Sequence, residues 1–461
     1  MENYWGILGL IALAFVCCVL RPKWGVYLLI LEAILGGNGH WFDFADTMIT
    51  PRYILFPLVF FGYVTSKLLV GKLRFPRIML GPHILIFGVL VAGSVIQALI
   101  NGNLEPLQEA QVWLYLLIYP VIVDLWKPGE SPFRLLRIFI WSTVVMAIFQ
   151  ILLMLFVNLF SGLQGYLYAN TPMGEMRILI SRVSGTDLYY VFWGNSALCG
   201  VLLAISLLIV GSHRMKMEII SRATAWKITI LMCLAMILSM TRGTWGQFAL
   251  TILLIGFDFA MRRKISWHLI LPAIVIFLGM IWMSSEVPFI RDAFSERFGT
   301  LLADKSTLDD SDSMVVKSIE QNQLCKAIAA KPFFGFGFGV GDYGIFGDRL
   351  VDTLRFHNYF LGFALKTGLI GLAALFFLLF GGCWWAIRVG HMVRHYFPEQ
   401  RAFLFGMAYS FVGIFLATTS NPHLGVPAVI VIFALMLAMS DSVFNEFRRH
   451  NSIMYNPSKH K

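Results

Sequence analysis

Residues 362–380 read GFALKTGLIGLAALFFLLF, an apolar run broken by a single charged side chain, Lys366. A helix needs about 20 such residues to cross the hydrocarbon core of a bilayer, so this run is long enough to span one. Residues 193–210, WGNSALCGVLLAISLLIV, and residues 269–283 with their flanks have the same character. An open sheet would strand its edge N–H and C=O groups in lipid, and these runs lack the alternation of a barrel strand, so helices are the remaining choice. The composition agrees: 58% of residues are hydrophobic and 13% charged, with a mean hydropathy of +0.73. A soluble domain is roughly half apolar and a quarter charged.

The expected fold class is all-α, a polytopic integral membrane helical bundle of about 12–13 transmembrane helices. The expected spans are 4–20, 24–35, 51–66, 82–100, 107–125, 135–160, 186–210, 226–240, 244–260, 266–284, 358–382, 402–418 and 426–443. The second of these is short. The first lacks the basic start and small-residue cleavage site of a signal peptide, and is read as a retained helix. No stretch is polar and long enough to be a soluble catalytic domain.

Short cytoplasmic loops retain Lys and Arg, which gives an independent test of orientation. Alternate loops carry Arg21 and Lys23; Lys67, Lys72, Arg74 and Arg77; Lys127, Arg134 and Arg137; Arg214, Lys216, Arg222 and Lys227; Arg262, Arg263 and Lys264; Arg388, Arg394 and Arg401; then Arg448, Arg449, Lys459 and Lys461. These make 23 of the 36 basic residues. The long stretch 286–356 then falls on the outer side. The net charge of +10 is mostly a topology signal, because the basic residues are dispersed over loops and form no stripe for a phosphodiester backbone. No nucleic-acid partner is expected. Five of the six cysteines fall in or at the ends of spans, with Cys325 alone in the outer loop, so no disulfide framework is implied.

Between 286 and 356 the apolar pattern breaks, and function is expected to concentrate there. The acidic run at 309–313, DDSDS, matches no EF-hand spacing and reads as a solvated turn or helix cap. It precedes residues 314–330, where Met314, Val315, Ile319, Leu324, Ile328 and Ala329 suit an amphipathic helix. Next comes KPFFGFGFGVG at 331–341, whose glycines permit either amide contact with an anion or tight turns. No βαβ context surrounds it, and an interfacial re-entrant turn is the favoured reading.

His357-Asn358 stands where the polar loop meets the next apolar helix. An imidazole there can take a proton from a hydroxyl nucleophile, or it can serve as an interface anchor or cap. Arg242, in SMTRG, lies at the outer end of two closely joined spans, where a guanidinium either holds a phosphate or snorkels to the surface. Arg182, in SRVSG, occupies a similar outer position, with a structural role favoured.

Three segments in order, 239–246, 317–341 and 357–371, resemble the O-antigen ligase and polysaccharide polymerase superfamily of bacterial membrane glycosyltransferases. The resemblance runs from about 182 to 418 and, in hydropathy, over nearly the whole chain. It implies a GT-C-like fold and inverting, metal-independent transfer of a glycan from a polyprenyl-diphosphate carrier, without a cofactor. By the same resemblance Arg242 and His357 are catalytic, and Arg242, Lys317 and Arg182 bind the substrate diphosphate. Lys317 stands fifteen residues before Pro332, where the superfamily usually has a basic residue, and Arg291, Arg297 or Arg355 can substitute for it. His, Cys, Asp and Glu do not gather at zinc-like spacing.

The expected function is therefore a surface or exopolysaccharide polymerase in the bacterial inner membrane. Its expected partners are a lipid-linked glycan donor, a glycan or lipid-linked acceptor, the bilayer and other polysaccharide assembly proteins. Ligation to a lipid A core or a protein is the alternative within the same chemistry. A transporter or lipid-linked oligosaccharide flippase is the alternative of another class, disfavoured because the chain shows no internal repeat and its polar candidates lie at the rim. The expected organisation is transmembrane helices over 1–285, an extracytoplasmic loop carrying part of the site over 286–356, further transmembrane helices over 357–443, and a basic cytoplasmic tail over 444–461.

Overall fold

The computed structural model describes residues 11–12, 14–35, 51–71, 76, 78–100, 110–126, 133–159, 176–183, 186–193, 195–211, 219–239, 242–261, 313–339, 356–394, 396–420 and 423–455. In chain order these form α1 (Pro22–Leu35), α2 (Pro51–Leu69), α3 (Gly81–Ile100), a 3-10 segment (Gln111–Leu117) running into α4 (Ile118–Leu125), and α5 (Phe133–Leu159). A hairpin follows, β1 (Met176–Val183) and β2 (Thr186–Trp193), and then α6 (Ser196–Val210), α7 (Arg222–Leu238) and α8 (Arg242–Met261). The chain is next described at α9 (Ser313–Ala330), α10 (Tyr359–Met392), α11 (Pro398–Ala417), a 3-10 turn (His423–Gly425) and α12 (Pro427–Tyr455).

The architecture is a helical bundle, as the hydropathy requires. Among the described residues, 81–100, 134–154, 243–260, 359–392, 398–417 and 427–450 form helices long and apolar enough to cross a membrane. Shorter apolar helices cover 54–69, 111–125 and 196–210. The span expected at 266–284 lies outside the described residues, as does most of the one at 4–20. Helix α12 continues past 443 to Tyr455, so the start of the expected tail is helical.

One expected span is wrong over its first third. Residues 186–193 are strand, paired antiparallel with β1 from Met176 opposite Trp193 to Val183 opposite Thr186, and only 196–210 is helix. The sequence TDLYYVFW is rich in aromatic and β-branched residues, which fit a strand, and Ser184-Gly185 separates the two halves as a hairpin turn would. Its apolar character merged with the helix that follows. An isolated two-stranded ribbon has open edges that lipid cannot satisfy, so the hairpin belongs to an end of the bundle.

The core explains why helices of such similar composition take different places. Helix α12 carries AVIVIFALMLAM at 428–439, apolar on every side, and each of these residues is fully buried. A helix without a polar face can only be a hub, and α1, α4, α10 and α11 pack around it. Helix α6 is buried along its whole length, and its contact with α11 is close enough that a Cβ at Gly406 would stand 2.7 Å from the backbone of Ile205. Small residues at such crossings let backbones approach in lipid. Between α6 and α11 lies Gln247 of α8, whose Nε2 donates to the Ala197 carbonyl at 2.8 Å and lies 3.1 Å from the Ser410 hydroxyl.

The helices alternate direction, and polar contacts show which termini share an end. The Ile219 amide donates to Glu399 at 3.0 Å, Arg222 donates to the Val210 carbonyl at 2.9 Å, and Arg401 stands 4.0 Å from Asp258. These bring the end of α6, residues 219–222, the last turns of α8 and the start of α11 to one end of the bundle. The opposite end collects the start of α6, where Asn195 donates to the Ile34 carbonyl at 3.0 Å, the end of α11, and the start of α10, where the Tyr359 amide donates to the Thr418 carbonyl at 3.3 Å.

Candidate active site

Helix α9 is the one described element between α8 and α10, and a small apolar core fixes it. Leu324, Ala327 and Ile328 of α9 pack with Phe356, Ala364 and Leu365 at the first turns of α10. The stripe that buries Leu324 and Ile328 also passes through Lys317 and Glu320, which lie seven and four residues earlier. Packing α9 on α10 therefore turns these two charged side chains toward residues that flank α10.

His357 meets Glu320 twice. Its backbone N–H donates to Glu320 Oε1 at 2.8 Å, and its ring Nδ1 stands 2.6 Å from Glu320 Oε2. The imidazole is half-exposed and the carboxylate mostly buried. Asn358 caps α10, its Oδ1 accepting the Leu361 amide at 3.2 Å. Both readings of His357-Asn358, chemistry and capping, thus find a residue, but the cap falls to Asn358 and leaves the histidine to Glu320. Lys317 Nζ donates to the Ser420 carbonyl at 3.1 Å, just beyond α11. One turn of α9 therefore holds an ammonium against α11 and a carboxylate against His357.

The glycine run has a different job from anion binding. Gly368 has φ 72° and ψ 179°, a backbone region essentially closed to residues with a Cβ, and it breaks α10. There the carbonyls of 365 and 366 and the amides of 369 and 370 find their partners in the 332–337 turn instead of in one another. The amides of Phe336 and Gly337 donate to the carbonyls of Leu365 and Lys366, each at 2.9 Å. The amides of Leu369 and Ile370 donate to the carbonyls of Pro332 and Phe333 at 2.7 and 3.4 Å. Ser94 of α3 adds its hydroxyl to the Lys366 carbonyl at 2.8 Å. These turn amides are committed to carbonyls and are closed to a phosphate. The positive φ of Gly335, Gly337 and Gly339 makes the turn tight enough to dock. Phe333 and Phe334 at its tip are 66% and 65% exposed, as an interfacial turn would have them.

Beneath this joint lies an aromatic floor. Phe363 stacks on Phe87 and Tyr359 and meets Trp113 and Phe338 edge-on, with centroids about 6 Å apart. Buried Lys366 points its ammonium over the ring of Phe356, 5.4 Å from the centroid, one residue from His357. The sequence shows Lys366 only as the single charge in its apolar run and points to no role for it.

Arg242 is the first residue of α8. Gly413 of α11 would place a Cβ 2.9 Å from the Gln247 carbonyl oxygen, so α8 and α11 are in register there and their 242 and 418 ends lie together. The backbone of Arg242 is thus at the same end of the bundle as His357 and Lys317. Arg182 lies in β1 with Asp187 as its cross-strand partner, in the hairpin that leads into the start of α6 at that same end. Arg291, Arg297, Arg355 and the acidic run 309–312 lie outside the described residues.

Residues 228–376 match the family model described as O-Antigen ligase. Over this stretch the chain is O-antigen ligase-like. The O-antigen ligase-like segment opens in α7 and closes within α10, so it takes in Arg242, Lys317, Glu320, His357 and the spliced break at Gly368. It supports a function of O-antigen ligase or polymerase type in a multi-pass membrane protein. No curated protein matches the chain.

Proposed function

We propose that the chain transfers a polyprenyl-diphosphate-linked glycan to an acceptor hydroxyl at the outer face of the bacterial inner membrane, as a polymerase of surface or exopolysaccharide. One observation carries this reading: His357, held by Glu320, shares an end of the bundle with Lys317 and with the helix that Arg242 opens. That end is the one opposite the basic loops, which the distribution of Lys and Arg assigns to the outside.

In this reaction the acceptor oxygen bonds to the anomeric carbon while its proton passes to the His357 imidazole. The bond from that carbon to the diphosphate oxygen breaks, and the electron pair leaves with the carrier. Attack from the far side inverts the sugar. Negative charge grows on the leaving diphosphate, and Arg242 with Lys317 offsets it. Arg182, on the hairpin at the same end, is the third cation in this reading. The two charged groups that change in the step are thereby served by separate residues.

The test is purified protein in lipid nanodiscs supplied with a polyprenyl-diphosphate oligosaccharide. Release of polyprenyl diphosphate with lengthened glycan is expected, and His357→Ala and Arg242→Ala each lower turnover by about 10²-fold or more. Transfer only when a lipid A core or a protein acceptor is added would make the enzyme a ligase. Full turnover in both variants would remove the assigned roles.

A further inference from the structure

We infer that Glu320 is a positioning residue that fixes the tautomer of His357, so that Nε2 is the nitrogen presented to the acceptor hydroxyl. This rests on the proposed role of His357 as the proton acceptor. Both oxygens of the carboxylate are committed to one residue, Oε1 to the His357 backbone N–H at 2.8 Å and Oε2 to the ring Nδ1 at 2.6 Å. The backbone contact decides which oxygen faces the ring and at what angle the ring stands. An ionised carboxylate only accepts, so Nδ1 brings the proton to the contact. A neutral imidazole has one N–H, and with that proton on Nδ1 the lone pair is on Nε2.

The same contact serves the next instant of the reaction. When Nε2 takes a proton the ring becomes a cation, and Glu320 lies against it at the distance of a charge-assisted hydrogen bond. The carboxylate then stabilises the imidazolium without itself being protonated, as in other acid-histidine pairs. Its position is not left to a mobile loop. Helix α9 is pinned to α10 by the Leu324 and Phe356 core on one side of Glu320, and to the end of α11 by Lys317 on the other.

Glu320→Gln is the informative variant, because it keeps the shape and changes one atom. If the glutamine oxygen keeps the His357 backbone N–H, its NH₂ group faces Nδ1 and donates to it, which drives the ring proton to Nε2 and blocks proton uptake. A loss of about 10²–10⁴-fold in kcat is expected, with the donor KM little changed. Glu320→Ala leaves the tautomer free and should retain more activity than Glu320→Gln while being the less stable protein. A purely structural contact gives the reverse order, glutamine above alanine.

Nitrogen-15 spectra of the wild-type protein, with His357 assigned by difference from His357→Gln, should show the proton on Nδ1. A proton on Nε2 overturns the inference whether or not the Glu320 variants fold. Wild-type kcat in Glu320→Gln together with an inactive His357→Ala removes the role of Glu320 and leaves the base in place. A fully active His357→Ala takes down both.

Discussion

Ile319 and Glu320 are neighbours in sequence with opposite fates. The amphipathic pattern of 314–330 assigns Ile319 to the packed face, yet Ile319 is 48% exposed and Glu320 turns inward to His357. Apolar spacing marks only apolar residues as packed, so a carboxylate on the buried stripe stays hidden until the partner helix is known. The signal was present in the spacing: 317, 320, 324, 327 and 328 lie on one face. Lys317 was found by its distance from the proline-glycine run, and the structure puts it one turn before that carboxylate on the same face of α9, with its ammonium on the Ser420 carbonyl. Its charge is the property at stake in the proposed reaction, so Lys317→Met should lower kcat/KM for the lipid-linked donor by about 10²–10³-fold, whereas Lys317→Arg should keep most of it. Steady-state release of carrier diphosphate measures both. Asn358→Ala removes the α10 cap and should cost about 1 kcal/mol, read as a lower melting temperature in detergent.

Elements were legible where one segment determines its own structure, and illegible where two segments complete each other. The helices at 81–100, 133–159 and 398–417 follow from hydropathy alone, within a few residues of the expected bounds. The break in α10 does not, because a helix-length apolar run conceals it and the segment that mends it lies about thirty residues earlier. Tight turns were expected of the glycine run. Their target was not. A Cβ at Gly368 would stand 2.0 Å from the Phe333 carbonyl oxygen, which is backbone and cannot swing aside. Gly368→Ala should therefore cost about 3 kcal/mol or more and detach the turn from α10. Loss of thermal stability, with new protease cleavage near Phe333, would report this. Ser94→Ala, which removes one hydrogen bond at the same joint, should cost only about 1 kcal/mol.

At the scale of the whole molecule the distribution of Lys and Arg was the most informative feature of the sequence, because topology is set by charges that do not depend on packing detail. Contacts such as Ile219 with Glu399 and Arg222 with Val210 bring helix ends that border two of those loops to one end. Toward that end Asp441 of α12 ties the hub to its neighbours: it accepts from the Met79 amide at 3.0 Å, from Trp385 Nε1 at 2.8 Å and from the Tyr119 hydroxyl. Asp441→Ala leaves two buried donors, Tyr119 and Trp385, and the part-buried Met79 amide without an acceptor, and should cost roughly 3 kcal/mol. Because it lies away from His357, turnover per folded molecule should stay at the wild-type level while the melting temperature falls. Cys325 of α9 and Cys17 are exposed, Cys17 next to the basic loop of Arg21 and Lys23, and Cys18, Cys199, Cys233 and Cys383 are buried. A membrane-impermeant maleimide applied to intact spheroplasts should label the protein, and Cys325→Ser should abolish that labelling. Absence of labelling in the wild-type protein would place α9 on the other side. The mended break in α10 also bears on how the protein is made. Residues 332–337 leave the ribosome before 365–370, so their peptide groups wait for partners that do not yet exist. The loop can take its final form only after the later helix has been threaded into the bilayer, and a nascent chain halted between the two would hold the histidine's helix and its carboxylate apart.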